Sequence, residues 1–529
     1  MADAVVIGSG PNGLVAANLL ADAGWAVDVL EAEPEPGGAV RSAELTLPGY
    51  VHDRFSAFYP LGVASPHLRA LRLDQHGLKW RRSPLAVAHP APDGTVAALS
   101  LDEDETAASL DAFAPGDGAA WHRYMEHFDR VGFPFLRALL DPFPPLRSGA
   151  GLVRALGPAG VLDFARFGLL PVRRNAQEEF AGDGAARLLA GNALHADVAP
   201  ETPGSALFAW VLVGVGQRMG WPVPEGGAGE LTAALVRRLE SRGGRVICGT
   251  RVGRVLVRGG RAVGVCTDDG REVDARRAVL ADTGAPQLYL RLLDREHVPD
   301  RVLRELRRFQ YDNATVKVDW ALDAPIPWTS SEVRRAGTVH VADGVDHLTL
   351  GSAEMAAGRI PGRPFLIVGQ YAPVDPTRAP EGAETAWGYT HVPQRVRGDA
   401  GPDGLRGDWQ DPAERERFAD RMEEQIEPLA PGFRASIKAR HIVMPPDLER
   451  QNANLVGGSI NGGTAQLHQQ LVFRPVPGLG RSETPVAGLF LASASAHPGG
   501  GVHGACGANA ARAALRERGP LKRLAAKAS

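Results

Sequence analysis

The sequence predicts an α/β fold: a doubly wound sheet unit into which a second, discontinuous α+β unit is inserted. Three observations lead there. A strand, glycine turn, helix and second strand open the chain. A strand, glycine turn and helix close it. Two long stretches of different pattern lie between them. At 529 residues the chain exceeds one ordinary domain, and 44% hydrophobic with 22% charged residues allows a large core and excludes general disorder. A net charge of -3 gives no electrostatic footprint for nucleic acid, and 3 widely spaced Cys exclude a disulfide framework or a thiolate metal cluster.

The opening segment carries the most information. Ala4-Val5-Val6-Ile7 reads as a strand, Gly8-Ser9-Gly10-Pro11-Asn12-Gly13 as G-x-G-x-x-G, Leu14 to Leu20 as a helix, and Ala26 to Leu30 as a second strand closed by Glu31. This is the full Rossmann-like pattern. Gly8 permits the tight turn, Gly10 lets the backbone approach a pyrophosphate, and Gly13 lets helix and strand pack closely. The helix N-terminus offers N–H groups and a positive dipole end to phosphate. Glu31 can accept from ribose hydroxyls and opposes a 2′-phosphate. No basic leader precedes the first strand, and the longest apolar run, about Ala206 to Gly216, is shorter than a membrane span, so a cytoplasmic protein is expected.

From about Tyr50 to Trp221 helical periodicity dominates. Gly214 to Gly220 imitates a second dinucleotide fingerprint, but Pro222 and Pro224 follow where a helix should start. The Arg147 to Arg174 stretch, with its spaced Leu, Val and Phe, reads either as an interfacial patch giving peripheral membrane contact or as core; helix-spaced apolar residues favour core. Beyond Pro222, a helix through Leu239 precedes strands at 245–248, 252–257, 261–266 and 278–282, with a hairpin turn at Asp268-Asp269-Gly270. Strands at Ala314–Trp320 and Pro364–Tyr371 and a helix at Pro412–Ile426 follow. The expected division is 1–75, 222–300 and 453–529 for the dinucleotide unit, and 76–221 and 301–452 for the substrate unit.

Near the C-terminus the strand Val486 to Ala492 runs into His497-Pro498-Gly499-Gly500-Gly501-Val502-His503-Gly504 and a helix to about Glu517, again an anion-binding geometry. With Gly37-Gly38-Ala39-Val40-Arg41-Ser42, Gly226-Gly227-Ala228-Gly229 and Lys317-Val318-Asp319-Trp320, this resembles the phytoene desaturase-related FAD-dependent oxidoreductases. They form part of the amine oxidase superfamily, and the branch that includes the pyridine nucleotide-disulphide oxidoreductase domain protein is the most similar. The likeness spans the chain and is tight at 4–42, 222–284 and 451–513. Ser493, Ser495 and Ala496 stand where that family has Gly, Gly and Thr.

The resemblance implies FAD held along Gly8, Gly10, Gly13, Glu31, Gly38, Arg41 and Val252, with Gly500, Gly501 and Val502 beside the flavin. Flavin chemistry asks the protein to position a C–H, exclude water and control charge. Candidate catalytic groups are His497, His503, Lys317 and Asp53; Cys506 is considered for a covalent flavin link, and no metal-ligand spacing occurs. The expected activity is hydride abstraction from an apolar small molecule, with carbon–carbon desaturation leading. An amine or alcohol oxidase and a non-catalytic flavin-containing binding factor are the alternatives. The electron acceptor, oxygen or a quinone, is left open, as is the oligomeric state.

Overall fold

The computed structural model describes residues 1–517; the end of the expected 453–529 segment, residues 518–529, lies outside them. Two seven-stranded sheets organise the chain. The first runs Val252–Arg258, Arg261–Thr267, Glu272–Ala281, Ala2–Ile7, Val27–Leu30, Arg245–Ile247, with Leu489–Leu491 added beside Glu272–Ala281. Glu272–Ala281 serves two neighbours. Its first half pairs antiparallel with Arg261–Thr267, and its second half pairs parallel with Ala2–Ile7 on one side and Leu489–Leu491 on the other.

Both faces of this sheet are covered, as its parallel strands require. On one face the helices Pro11–Asp22, Gly229–Ser241 and Ala505–Glu517 bury Leu14, Leu20, Leu235 and Ala511 against Val6, Val29 and Leu280. On the other, Val5, Ile7, Val255 and Val279 meet Leu288 and Tyr289. The carboxyl ends of the N-terminal strand, Val27–Leu30 and Glu272–Ala281 thus share one edge, where the glycine turn lies.

The second sheet runs Ile437–Val443, Ala314–Leu322, Glu384–Val392, Leu366–Gln370, Ala336–Val341, Leu85–Pro90, Val96–Ser100. Strand alternation sorts its two faces. Val316, Val318 and Trp320 turn to the Pro412–Ile426 helix and its Phe418, Met422 and Ile426. The intervening Thr315 and Lys317 face a cavity on the other side. A third core, around Trp121, Phe128 and Trp210, joins the helices Asp117–Leu140, Gly184–Leu194 and Ser205–Met219.

Two local expectations are corrected, and the rejection of the Gly214–Gly220 fingerprint is explained. The 50–221 stretch is not helical throughout: Leu85–Pro90 and Val96–Ser100 are strands of the second sheet, their Ala-rich pattern hidden because both faces are covered. The Gly214–Gly220 imitation lies at the end of the Ser205–Met219 helix, so its first amides are spent within that helix. The Leu146–Phe167 helix is core on one side only: Phe164 is buried and Leu152, Leu156 and Phe167 pack on the helical core, whereas Leu162 is 77% and Leu169, just beyond it, 61% exposed. Among the described residues no helix is long and apolar enough to cross a membrane.

A buried charge network locks the two sheets together. The Asp53 carboxylate accepts from Ser42 Oγ at 2.8 Å and the Ala228 amide at 2.7 Å on one oxygen, and from Arg378 Nη1 at 2.7 Å and the Tyr371 hydroxyl at 2.5 Å on the other. Arg378 and Asp53 are both fully buried. Removing one partner strands the other charge in a low-dielectric interior. Arg378→Leu should therefore destabilise the fold by roughly 3–5 kcal/mol, seen as a lower urea midpoint, whereas Arg72→Leu at the exposed Arg72–Asp74 pair should leave the midpoint nearly unchanged.

Candidate functional site

One continuous cavity of about 760 Å³ runs from the edge of the first sheet to the polar face of the second. Its first part is the dinucleotide cleft. Gly8, Gly10, Glu31, Gly38, Arg41 and Val252 line it, together with Asp282 and Thr283 at the end of the central strand. Gly10 caps the Pro11–Asp22 helix, whose N-terminus points its positive end at the cleft. A Cβ on Gly10 would lie 2.6 Å from Asp282 Oδ2, so no other residue fits there without displacing that carboxyl.

Gly13 does not line the cavity. A Cβ there would meet the Gly8 carbonyl oxygen at 2.3 Å, so its part is to let the helix sit on the turn. Glu31 accepts from the Ser9 amide at 2.8 Å, Ser9 Oγ at 2.6 Å and the Glu33 amide at 2.9 Å. Those bonds fix the carboxylate at the cleft wall and leave capacity for a further donor. Arg41 is held by its bonds to the Gly38 and Gln451 carbonyls and lies over the Phe55 ring at 5.3 Å.

The buried Asn12 Oδ1 and Thr283 Oγ1 have no hydrogen-bond partner, and both residues line the cleft. Orphaned buried polar atoms beside a helix N-terminus and a ribose-accepting carboxylate are what a dinucleotide satisfies. The FAD expected from the sequence fits this cradle.

The C-terminal turn forms the next wall: Pro498, Gly500, Gly501, Val502 and His503 line the cavity. His503 is not placed to act as a base. The Ala505 amide donates to its Nδ1 at 3.0 Å, so Nε2–H donates to the Gly500 carbonyl at 3.2 Å, and burial pushes its pKa down to about 4. The ring is a staple of the turn. His497 is outside the cavity wall altogether. Its Nε2 donates to the Asp141 carbonyl at 3.2 Å, its ring packs on Phe143, and burial likewise lowers it to about 4. Asp53 is also no cavity group, because its carboxylate is spent on Arg378, Tyr371, Ser42 and Ala228. The buried Cys506 thiol donates toward the Ala496 and Gly499 carbonyls and is pushed up to about 12, which keeps it protonated rather than a thiolate available for flavin attachment.

Of the four catalytic candidates, Lys317 reaches the substrate side. It lines the cavity, donates to the Asp53 carbonyl at 3.0 Å and is ion-paired with Asp319. Burial opposes ionisation of Asp319, but Lys317 and His52 outweigh it and hold the carboxyl below its ordinary range. Around Lys317 stand residues the sequence did not single out: Thr315, Thr338, Trp387 and Tyr389 from the sheet, and His195 and Trp221 from the helical cap. Arg474 is a further residue that the sequence did not single out. It is a buried guanidinium that lines the cavity and donates to the carbonyls of Asn461, Thr464 and Ala494, clamping the loop opposite the C-terminal turn.

Residues 12–356 match the family described as flavin containing amine oxidoreductase. The chain is 32% identical to the pyridine nucleotide-disulfide oxidoreductase domain-containing protein 2 of Mus musculus, over 97% of this chain and 93% of that protein. It is 25% identical to a neurosporene-forming phytoene desaturase of Cereibacter sphaeroides, over 99% of this chain and 98% of that one. In fold it is similar to an oxidoreductase from Methanosarcina mazei, with a TM-score of 0.63 at 17% identity, covering 97% of this chain and 99% of that one.

Asp282 supplies a pH test. Its Oδ2 accepts from the Gly13 amide at 2.8 Å, yet burial, with Glu31 adding, pushes its pKa up to about 7. In the unfolded chain it ionises near about pH 4. Between about pH 4 and 7 the folded protein holds a proton that the unfolded chain has lost, so this group makes stability fall as pH rises through that window. Glu384, also raised by burial to about 7, contributes with the same sign. Asp282→Asn, which keeps an acceptor for Gly13, should therefore flatten part of the decline, read as the slope of urea midpoint against pH.

Proposed function

Because the chain belongs to the flavin-containing amine oxidoreductase family and is an FAD-dependent oxidoreductase, we propose that it removes two hydrogens from adjacent carbons of a largely apolar organic molecule, one as hydride to FAD and the other as a proton released to solvent, forming a carbon–carbon double bond. One observation carries this reading. Beyond the Gly500-Gly501 turn the cavity is walled by Phe58, Leu61, Leu136, Leu139, Val211 and Leu212. Burying apolar surface there contributes about 25 cal/mol per Å². A long hydrocarbon is thus held by its whole length, and water is kept from the reacting carbon.

Bound FAD supplies a two-electron acceptor able to take hydride from a C–H laid against its ring. The chain's own residues do the rest. Gly8 and Gly10 at one end of the chain and Gly500 and Gly501 at the other would hold the FAD. The leucine and phenylalanine wall orients the substrate against it and excludes solvent. Lys317, held by Asp319 and the Asp53 carbonyl, aims a fixed hydrogen-bond donor at the reacting region, where preorganised donors act without reorganisation. Relatives whose names state phytoene desaturation support the desaturase reading. A second reading, oxidation of an alcohol, is supported by the polar group of Thr315, Lys317 and Tyr389 on the cavity face of the sheet.

Anaerobic titration of the flavin-loaded protein with polyenes, long-chain alcohols and amines tests this. The expected result is loss of the oxidised flavin absorbance with a polyene or an alcohol. Lys317→Met, at equal FAD content, should slow that loss by roughly 10²-fold. If none of the three classes reduces the flavin, the proposal fails.

A further inference from the structure

The far end of the cavity gathers polar atoms that the protein itself leaves unpaired. Trp221 Nε1 and Thr338 Oγ1 are buried without a hydrogen-bond partner, and both residues line the cavity. Tyr389 and His195, both half-buried, also line it, and neither the Tyr389 hydroxyl nor His195 Nδ1 has a hydrogen-bond partner among the described residues. Unpaired buried polar atoms are rare in folded proteins and need an explanation one by one. Two such atoms, on Trp221 and Thr338, stand in residues at one end of an otherwise apolar cavity, and the half-buried His195 and Tyr389 add two more unpaired polar atoms there, which points to a ligand group.

The sequence builds this cluster with care. In the second sheet Lys317 lies opposite Tyr389, Tyr389 opposite Ile367, and Ile367 opposite His340, so these four cross the sheet in one row. His340 is fully buried at the end of that row. The Gly184–Leu194 helix lies directly over it: a Cβ on Gly191 would fall 2.2 Å from His340 Nδ1. One turn further on, His195 Nε2 meets His340 Nε2 at 2.9 Å, and the indole of Trp221 stands edge-on to the His195 ring at 4.8 Å.

The pairing fixes the hydrogens. Two imidazoles joined through Nε2 share one hydrogen, so one ring carries it there and the other carries its hydrogen on Nδ1. His340 Nδ1 is buried and unpartnered. An orphaned acceptor is better tolerated there than an orphaned N–H, so His340 donates from Nε2 and His195 carries its hydrogen on Nδ1, toward the cavity. Burial drives the His195 pKa down to about 3 and that of His340 well below its ordinary value, and it raises that of the Tyr389 phenol. The Lys317 charge is matched by Asp319. The Asp197 carboxylate, which helps raise the Tyr389 phenol, already accepts from the Asn313 amide and side chain, so an ionised head group entering here would lose its hydration without gaining a free counter-charge.

We propose that His195, fixed by His340, and Tyr389 form a neutral recognition site for one uncharged oxygen function, a hydroxyl or carbonyl, on an otherwise apolar substrate. The site rests on the functional reading above and narrows it. The preferred substrates are neither plain hydrocarbons nor ammonium or carboxylate ions. His195 is a specificity-determining residue and Gly191 and His340 are positioning residues.

The test uses the flavin-loaded protein and three ten-carbon probes: 2-decanone, decanoate and decylammonium. Binding is followed by quenching of tryptophan fluorescence, to which Trp221 and Trp387 at the site contribute. His195→Phe keeps the ring's bulk against Trp221 but removes the donor; Tyr389→Phe removes only the hydroxyl. The expected result is that 2-decanone binds at least about tenfold more tightly than either ion, and that each variant weakens it by roughly 3- to 10-fold without improving the ions. If both variants bind 2-decanone as the unaltered protein does, or if an ion binds as tightly as the ketone, the inference is wrong. FAD content, read separately from flavin absorbance, distinguishes that outcome from failure of the flavin reading, since the tryptophan signal does not require flavin reduction.

Discussion

The first and last of the described helices touch through a backbone contact that leaves no room for a side chain. A Cβ on Gly507 would lie 1.8 Å from the Asn12 carbonyl oxygen, and one on Gly504 2.7 Å from Val15 Cγ2. Packing at that distance brings the Ala505–Glu517 helix onto the Pro11–Asp22 helix and carries the preceding turn with it. The turn is then pinned from both sides. Ser65 Oγ donates to the His503 carbonyl at 2.6 Å, and the His503 ring joins the Ala505 amide to the Gly500 carbonyl. Two turns remote in sequence become two walls of one cleft, and the dinucleotide site and the flavin wall exist only because this approach is tight.

The rest of the cavity follows from alternation along strands whose two faces have different tasks. On Ala314–Leu322, the residues turned to the helix are Val316, Val318 and Trp320, and those turned inward are Thr315, Lys317 and Asp319. Hydrophobic burial on one side stabilises the sheet that holds the polar groups on the other. The inward charges survive burial because they are paired: Lys317 with Asp319, Asp53 with Arg378, Arg378 also with Asp375. The imidazoles near the substrate survive by being neutral. The result is a cavity with little net field at its far end and a cationic clamp, Arg474, beside the flavin turn.

Much of the nucleotide end was legible because its constraints are local. Gly8, Gly10, Gly13 and Glu31 sit at spacings that one strand, one turn and one helix impose, and the Pro412–Ile426 helix announces itself by Asp411 capping Ala413 and Pro412 at its first position. The Leu85–Pro90 strand was not legible, since a strand covered on both faces shows no alternation. The outer face of Leu146–Phe167 was misread because periodicity marks a stripe without saying what covers it. The histidines mark the sharper limit. His497 and His503 look reactive from their place beside a glycine turn, but their ring nitrogens are occupied by backbone or turned away from the cavity. His195 and His340 meet across 145 positions of sequence and a sheet whose register no local pattern reveals.

The account stands on FAD being clasped between the two ends of the chain, and the stoichiometry of released flavin measures that directly. Purified protein, denatured to free its cofactor, should yield close to one FAD per chain, while Gly507→Val, which forces the two helices apart, should fold with little or none. A colourless protein that takes up no FAD, or a Gly507→Val variant that retains it in full, would contradict the account.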